Sequence, residues 1–175
     1  MLGLNYMHLQ SITHRDIKPE NILLVSADPC NFDIKIADLG FAQQFDKETG
    51  LDLVLGTPLY MAPELINHQK YSEKVDVWGL GVITYQLLSG KTPFDGKNIK
   101  KINQNILGKE VRFPSKQWKG ISNNAKDYII QCLDRNQLTR PSIAELFDHP
   151  WICEIQNDDV SADEEVQLQI QKNLL

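Results

Sequence analysis

Cysteine is scarce in this sequence, and its few copies are poorly placed for a site. The chain contains only Cys30, Cys132 and Cys153. An odd number of cysteines does not form a fully paired disulfide framework, and their wide spacing does not match zinc ligands. We therefore expect the fold to be stabilised by an apolar core. The chain is expected in a reducing compartment.

Long apolar runs are also missing. No stretch approaches the roughly 20 apolar residues that a membrane-spanning helix needs. The N-terminus has neither the basic region nor the apolar segment of a secretory signal. The expectation is a soluble, cytoplasmic chain without a membrane partner.

Basic charge is in short supply as well. The formal net charge is -5; residues 154–175 carry six acids and one lysine, whereas residues 1–153 carry 17 acids and 17 bases. Neither part has the basic excess that binding to a phosphate backbone requires, so no nucleic-acid partner is expected. The length of 175 residues fits one domain.

Two common kinds of ligand-binding loop are absent. The only G-x-G, at Gly79–Gly81, continues into the apolar run Val82–Thr84. That context predicts close packing of a helix instead of a phosphate loop, and no D-x-[DN]-x-[DN]-G calcium loop is present.

What the sequence does contain is a polar stretch next to a predicted β-hairpin. The apolar runs Ile22–Leu24 and Ile34–Ala37 flank Asp28–Asn31, whose residue types favour a turn. If residues 24 and 35 are paired, antiparallel register sets residues 21 and 38 opposite each other.

Oxygen ligands and a cation then meet at the open end of this hairpin. Asn21 and Asp38 offer an amide oxygen and a carboxylate, the hard ligands that Mg²⁺ takes beside substrate phosphates. Asp16 and Lys18 arrive on the loop before the first strand. The pattern predicts a phosphate-handling site.

These residues resemble a known family. H-R-D-x-K-P-E-N at 14–21 and D-L-G at 38–40 are similar to the catalytic-loop and metal-loop pair of the protein kinases. Three further motifs follow in the same order: G-T-P-L-Y-M-A-P-E at 56–64, D-V-W-G-L-G at 76–81, and Arg140.

The resemblance covers residues 1–152 and implies the C-terminal lobe alone. The fold would be mainly α, with a short β-hairpin at the catalytic site and no N-terminal lobe. Lys18 and the motif at 56–64 resemble the serine/threonine branch. A finer likeness to the calcium/calmodulin-dependent and calcium-dependent kinases rests on the segments around Phe113-Pro114, Trp118, Ile121-Ser122 and His149-Pro150-Trp151-Ile152.

The reaction implied is transfer of the γ-phosphoryl group of ATP to a Ser or Thr hydroxyl of a protein, with Mg²⁺. Asp16 would orient the hydroxyl and accept its proton late, because an Asp with a pKa of ~3.9 is too weak a base for an alcohol. Lys18 would neutralise charge on the moving phosphoryl group, and Thr57 would brace Asp16 and Lys18.

The same resemblance implies the binding residues. Asn21 and Asp38 would hold Mg²⁺, Leu23 would form the floor under adenine, and Glu20 would face a basic residue of the substrate. Lys18, Glu20, Asn21, Leu23 and Asp38 together would line the nucleotide and metal site.

The resemblance also implies structural roles for four residues. Asp76 would accept hydrogen bonds from backbone N–H groups of the catalytic loop, and Glu64 would form a buried ion pair with Arg140. His14 would be a packed structural histidine beside Leu39. His8, His68 and His149 are expected to have no special part.

Arg15 would pair with an anion on a mobile activation segment, residues 41–61. The sequence offers Asp52 or Glu48 as a permanent charge and Thr49 as the one phosphorylatable residue between Gly40 and Gly56. A bland solvated loop remains the alternative for Thr49.

Helices are predicted where apolar residues recur with helical spacing. They are a helix end at residues 1–8, an almost wholly apolar helix at 74–88, a helix through Ile99, Ile102 and Ile106, one after Ser122, and a last helix from Ser142 to about 148–150. Residues 153–175 form an acidic tail that starts a regulatory helix or is disordered.

Two functions from different classes stay open. The first is a kinase catalytic lobe with protein substrates and a regulatory segment or calcium sensor as partners. The second is a catalytically inert, kinase-derived binding or scaffold fragment, because the glycine-rich loop and strand lysine of the N-terminal lobe are missing.

Overall fold

The computed structural model describes residues 1–28, 31–46 and 49–157. This part of the chain contains eight α-helices and two small antiparallel sheets, which confirms the mainly α prediction. The helices are α1 Leu2–Leu9, α2 Pro63–Ile66, α3 Lys74–Ser89, α4 Ile99–Gly108, α5 Ser115–Trp118, α6 Asn123–Cys132, α7 Ile143–Leu146 and α8 Pro150–Asn157. The strands are β1 Ile12–Thr13, β2 Ile22–Leu24, β3 Ile34–Ile36 and β4 Gln43–Gln44. None of the described helices is both long and apolar enough to cross a bilayer.

Helix α3 runs through the middle of the core. Twelve of its 16 residues are buried, as its nearly continuous apolar sequence predicts. It ends at Gly90, which adopts the left-handed φ of 70° and donates its N–H to the Gln86 carbonyl. Because α3 is covered on all sides, the loops that contact it are held in fixed positions.

The two glycines of the G-x-G let neighbouring parts of the chain approach α3 closely. A Cβ on Gly81 would lie 2.6 Å from Cys132 Cβ on α6, and one on Gly79 would lie 2.9 Å from the Ile17 carbonyl oxygen. The prediction that this motif serves helix packing is confirmed.

The capped helices begin where their N-cap residues predict. Ser122 accepts a hydrogen bond from the Ala125 N–H at 3.1 Å, and Ser142 and Glu145 form a reciprocal capping box. One expectation was wrong. The last predicted helix, α7, ends at Leu146, earlier than expected, and it is not the last one, because a further helix that the sequence did not predict, α8, begins at Pro150 and continues to Asn157.

The boundary expected at residue 152 therefore falls inside α8. Pro150 is well suited to the first turn of a helix, where its missing N–H has no partner to lose. The tail prediction for residues 158–175 lies outside the described residues, and the division at 152 stays a prediction.

A stack of four side chains joins α3 to the loops on either side. The Trp78 and Phe94 rings are nearly parallel, with centroids 5.8 Å apart, and the guanidinium groups of Arg140 and Arg135 lie 5.2 and 5.6 Å from the Trp78 and Phe94 ring centroids, respectively. Arg135 also donates to the Ile106 carbonyl at 2.7 Å, near the end of α4. The stack thus connects α4 to the centre of the core.

The hairpin is present, but its register differs by one residue from the prediction. Leu24 pairs with Ile34, and Lys35 pairs with Leu23. Asn21 is therefore opposite Ala37, whose N–H donates to the Asn21 carbonyl at 2.9 Å. Strand β2, Ile22–Leu24, is apolar at every position and so has apolar residues on both faces, which means that its side-chain pattern does not select one register.

Strands β1 and β4 form a second pair that the sequence did not predict. Ile12 pairs with Gln44 and Thr13 with Gln43. Each strand has two residues, which is too short for an alternating pattern to be visible. This pair attaches the start of the activation segment to the strand just before the catalytic loop.

Candidate active site

The carboxylate of Asp76, on α3, anchors the loop that carries Asp16. This carboxylate is 1% exposed and accepts the backbone N–H groups of His14 and Arg15, both at 2.8 Å. It also accepts from the Thr13 hydroxyl at 3.0 Å and lies 2.9 Å from His8 Nε2. A buried carboxylate needs such partners, and here they position the loop.

His8 was expected to have no special part, so its contact with Asp76 corrects that expectation.

The backbone of Arg15 has a φ of 71°, which is unfavourable for a residue with a side chain. The N–H groups of His14 and Arg15 both donate to Asp76, and these hydrogen bonds help to hold the backbone in this conformation.

Asp16, Lys18 and Thr57 form a closed triangle of polar contacts. Asp16 Oδ1 accepts from the Thr57 hydroxyl at 2.9 Å and its N–H at 3.1 Å, and Oδ2 lies 2.6 Å from Lys18 Nζ. Lys18 Nζ in turn donates to Thr57 Oγ1 at 3.0 Å. The bracing contacts implied for Thr57 are therefore present.

The charges of this triangle stabilise each other. Burial by itself raises the pKa of Asp16, but the hydrogen bonds from Lys18 and Thr57 and the charge of Lys18 outweigh it, so the pKa is lower than usual. The hydrogen bond to Asp16 raises the pKa of Lys18, and the charges of Asp16, Glu20 and Asp38 add to this. Asp16 is thus a carboxylate and Lys18 a cation at neutral pH.

Asn21 presents its amide oxygen as the remaining ligand atom. The side chain is buried, and its Nδ2 donates to the Asp16 carbonyl at 2.8 Å and to Asp16 Oδ2 at 3.3 Å. With the nitrogen occupied, the oxygen is the atom that remains for a cation.

Asp38 is exposed and lies two positions beyond the end of β3. It has a left-handed φ of 59°, and its Oδ1 accepts from the Gly40 N–H at 3.2 Å. Its charge is among those that raise the pKa of Lys18. The donor set of one amide oxygen and one carboxylate fits Mg²⁺ that takes its other ligands from phosphate and water. Among the described residues, no group of three or more His, Cys, Asp or Glu side chains offers a competing metal site.

His14 is wholly buried and serves as a structural residue. Its Nε2 lies 3.0 Å from the Ala37 carbonyl oxygen, and its Nδ1 accepts from the Asp16 N–H at 3.3 Å. Leu39, the neighbour expected to cover it, is 60% exposed. The histidine is thus held by the main chain between the catalytic loop and β3.

Glu64 and Arg140 form the implied ion pair. The contacts from the guanidinium to the two carboxylate oxygens are 2.7 and 2.9 Å, and both side chains are at most 2% exposed. Arg140 also donates to the carbonyls of Asp134 and Lys74, each at 2.8 Å. This set ties α2, which follows the activation segment, to α3 and the loop before α7.

The activation segment is held at several points along its length. Phe45 is buried and donates its N–H to the Ser11 carbonyl at 2.8 Å. Further on, Leu51 and Tyr71 exchange two backbone hydrogen bonds, each 2.9 Å. The prediction of a mobile segment did not include these contacts, because they join residues far apart in sequence.

Arg15 has neutral partners in this structure. Its Nε donates to the Phe41 carbonyl at 2.5 Å and its NH1 to the Tyr71 hydroxyl at 3.2 Å. Among the described residues it forms no ion pair, and both Thr49 and Asp52 are exposed. The expected anionic partner is thus not found there, while Glu48 lies outside the described residues.

Two predicted binding residues lie on the open surface of the site. Leu23 is 51% exposed on β2, and Glu20 is exposed at the turn before it. Sequence reasoning missed Tyr60, whose hydroxyl donates to Gln86 Oε1 at 2.8 Å. Burial, and then the charge of Glu20, raises the pKa of Tyr60 to about 12.

The comparisons with known proteins agree on one family. The family model described as "Protein kinase domain" matches residues 1–152. The calcium/calmodulin-dependent protein kinase type I of Schizosaccharomyces pombe is 42% identical over 154 residues, which are 87% of this chain and 46% of that protein.

Two further relatives are similar at the same level. A probable myosin light chain kinase of Dictyostelium discoideum is 39% identical over 89% of this chain and 40% of its own length. The serine/threonine-protein kinase PEPKR2 of Arabidopsis thaliana is 41% identical over 87% of this chain and 31% of its own length. The chain thus spans less than half the length of these relatives.

Proposed function

The chain belongs to the protein kinase family, and we propose that it is the catalytic lobe of a serine/threonine kinase that transfers the γ-phosphoryl group of ATP to protein hydroxyls. The observation that carries this proposal is the triangle of Asp16, Lys18 and Thr57 beside Asn21. A scaffold has no need of a buried carboxylate, a cation and a free amide oxygen at one point.

Asp16 would act mainly by position. Its lowered pKa makes it a weak base, so it orients the incoming hydroxyl and takes the proton only after the bond to phosphorus is well advanced. The hydrogen bonds from Thr57 fix the direction in which its carboxylate points.

Lys18 would stabilise negative charge on the phosphoryl group in transit. Its raised pKa keeps it protonated, and its contacts with Asp16 and Thr57 keep the ammonium group beside the acceptor. Asn21 and Asp38 would hold Mg²⁺, which when bound shields the charge of the ATP phosphates. Leu23 would contact the adenine ring.

The substrate side of the proposal rests on Glu20. It is an exposed carboxylate beside Tyr60 and close enough to Lys18 to act on its pKa. We propose that it favours peptides with a basic residue near the acceptor. Replacing an exposed ion pair typically changes an affinity by no more than about 1 kcal/mol, so E20Q should weaken this preference only a few-fold.

Regulatory partners are proposed from the relatives alone. One relative is named for calcium/calmodulin dependence and another for myosin light chains. A calcium sensor that acts on a segment after α8 would fit the first name. The rival function, an inert scaffold, gains no support from the comparisons over a protein kinase.

The decisive experiment replaces the matched 154 residues of the S. pombe relative with this chain and measures phosphate transfer from ATP to a Ser/Thr peptide. We expect transfer by the chimaera, and a loss of about 100-fold or more in kcat for D16N. D52N, which alters an exposed carboxylate, is the matched control and should retain activity. A folded chimaera with no transfer, or with D16N as active as D52N, would refute the proposal.

A further inference from the structure

Tyr71 lies between the catalytic loop and the activation segment and touches both. It is 2% exposed, in the turn before α3. Its hydroxyl accepts from Arg15 NH1 at 3.2 Å and donates to the Leu53 carbonyl at 2.7 Å. One phenolic oxygen thus joins the residue before Asp16 to the middle of the activation segment.

We propose that Tyr71 is a positioning residue that keeps the activation segment ordered by joining the Arg15 guanidinium to a main-chain carbonyl, without a phosphate. The proposal rests on the proposed function only for the role of that segment. Tyr71 itself does not touch the triangle of Asp16, Lys18 and Thr57; it acts through Arg15.

The guanidinium of Arg15 is the common anchor of two distant points on the segment. Its Nε donates directly to the Phe41 carbonyl at 2.5 Å, and its NH1 reaches Leu53 through Tyr71. Hydrogen bonds from a charged donor are stronger than neutral ones, and those of Arg15 are shielded because the residue is 8% exposed. Arg15 thereby fixes the main chain at both Phe41 and Leu53.

The contact with the segment uses main-chain atoms. The Leu53 side chain is 57% exposed, and only its carbonyl oxygen is held. The paired N–H and carbonyl groups of Leu51 and Tyr71 continue the same attachment. No side chain that can be phosphorylated takes part on the segment's side of this attachment.

The turn that precedes this attachment is shaped to fit Tyr71. Gly50 has a φ of 67°, and a Cβ at that position would lie 3.1 Å from the Tyr71 carbonyl oxygen. Both the conformation and the close approach therefore favour glycine. Thr49, beside it, is exposed, and its N–H donates to Asp46 Oδ1 at 3.2 Å.

The test measures amide hydrogen exchange in residues 51–57 of the 175-residue chain, dephosphorylated and checked by intact mass. We expect protection in the wild type at Leu51 and Thr57, whose N–H groups donate to the Tyr71 carbonyl and to Asp16 Oδ1. In Y71F we expect a rise of roughly tenfold or more in exchange of these amides, with α3 and α6 unchanged. The Arg15 NH1 resonances should broaden in Y71F, because this variant removes the hydroxyl oxygen that accepts from NH1 but keeps the packing of the ring.

Two variants provide matched controls. Y85F also removes a buried hydroxyl that donates to a carbonyl, that of Arg112 at 2.7 Å, and it should leave residues 51–57 protected. T49A should do the same. The proposal is overturned if the dephosphorylated wild type is unprotected at 51–57, or if Y71F and Y85F exchange alike there. If Y71F does not fold, the protection measured at residues 51–57 of the wild type still tests the proposal, because an unprotected wild type overturns it.

Discussion

At the scale of single residues, the most costly contact to break is the ion pair of Glu64 and Arg140. Both groups are buried, and the carboxylate balances a guanidinium that also lies 5.2 Å from the Trp78 ring. Removing one charge leaves the other without compensation in a medium of low polarity. The pair therefore matters for folding as much as for the shape of the site.

We predict that E64Q lowers the free energy of unfolding by about 3–5 kcal/mol, as expected for one partner of a buried pair. Urea denaturation of the 175-residue chain measures this. The matched control is D127N, which neutralises an exposed carboxylate 3.1 Å from His149 and should cost less than about 1 kcal/mol. Equal effects of the two variants would contradict the assignment.

Tyr60 gives a prediction about pH. Because burial raises its pKa to about 12, the neutral phenol is favoured in the folded state. The stabilisation is fully present below the unfolded pKa of ~10 and is lost as the pH rises through the folded pKa. The difference in unfolding free energy between wild type and Y60F should be constant up to about pH 10 and then decrease toward pH 12.

Urea titrations of both proteins at several values between about pH 8 and 12 measure that difference. The other tyrosines and the lysines titrate in both proteins, so their contributions cancel. A difference that stays flat would show that Tyr60 ionises normally in the folded chain, and one that grows above about pH 10 would show that folding lowers its pKa; either result contradicts the prediction.

At the scale of elements, the packing of α3 against α6 depends on a missing side chain. Gly81 allows Cys132 to approach so closely that an added methyl group has no space. Cys132 is fully buried, and burial raises the pKa of its thiol to about 12, so it acts here as a small apolar residue.

We predict that G81A destabilises the chain by about 1–3 kcal/mol through overpacking, although alanine favours a helix. G108A is the matched control, since Gly108 ends α4 and a methyl group added there would meet no atom within 4 Å. It should stabilise by up to about 1 kcal/mol. Thermal unfolding measures the stability of both variants. A G81A variant more stable than the wild type would show that α3 and α6 leave space for a methyl group at this position.

At the scale of the whole molecule, α1 and the hairpin carry many exposed apolar side chains. Helix α1 lies against β3 at Gly3, where a Cβ would be 3.4 Å from Ile36 Cδ1. Among the described residues of 2–9 and 23–39, the large apolar side chains that are at least half exposed are Leu2, Tyr6, Leu9, Leu23, Leu24, Val25, Phe32, Ile34 and Leu39. The candidate nucleotide surface around Leu23 is part of this region.

We predict that the 175-residue chain alone binds Mg·ATP more weakly than about 1 mM and transfers no measurable phosphate, because only one face of the nucleotide is contacted. Calorimetry and a peptide phosphorylation assay measure the two quantities. The chimaera with the S. pombe relative is the positive control. Robust transfer by the isolated chain would show that this lobe suffices.

The sequence by itself determined the features that depend on neighbouring residues. The capping box at Ser142, the apolar helix at α3 and the set of Asp16, Lys18 and Asn21 can each be read within a few positions. The spacing of these motifs was also enough to identify the family.

The tertiary structure decided the contacts between distant residues. The hairpin register, the attachment of Arg15 to Tyr71 and the contact of His8 with Asp76 each depend on which surfaces pack together. Local patterns carry no information about a hydrogen bond that spans 56 or 68 positions, because its partners are selected by the core that lies between them.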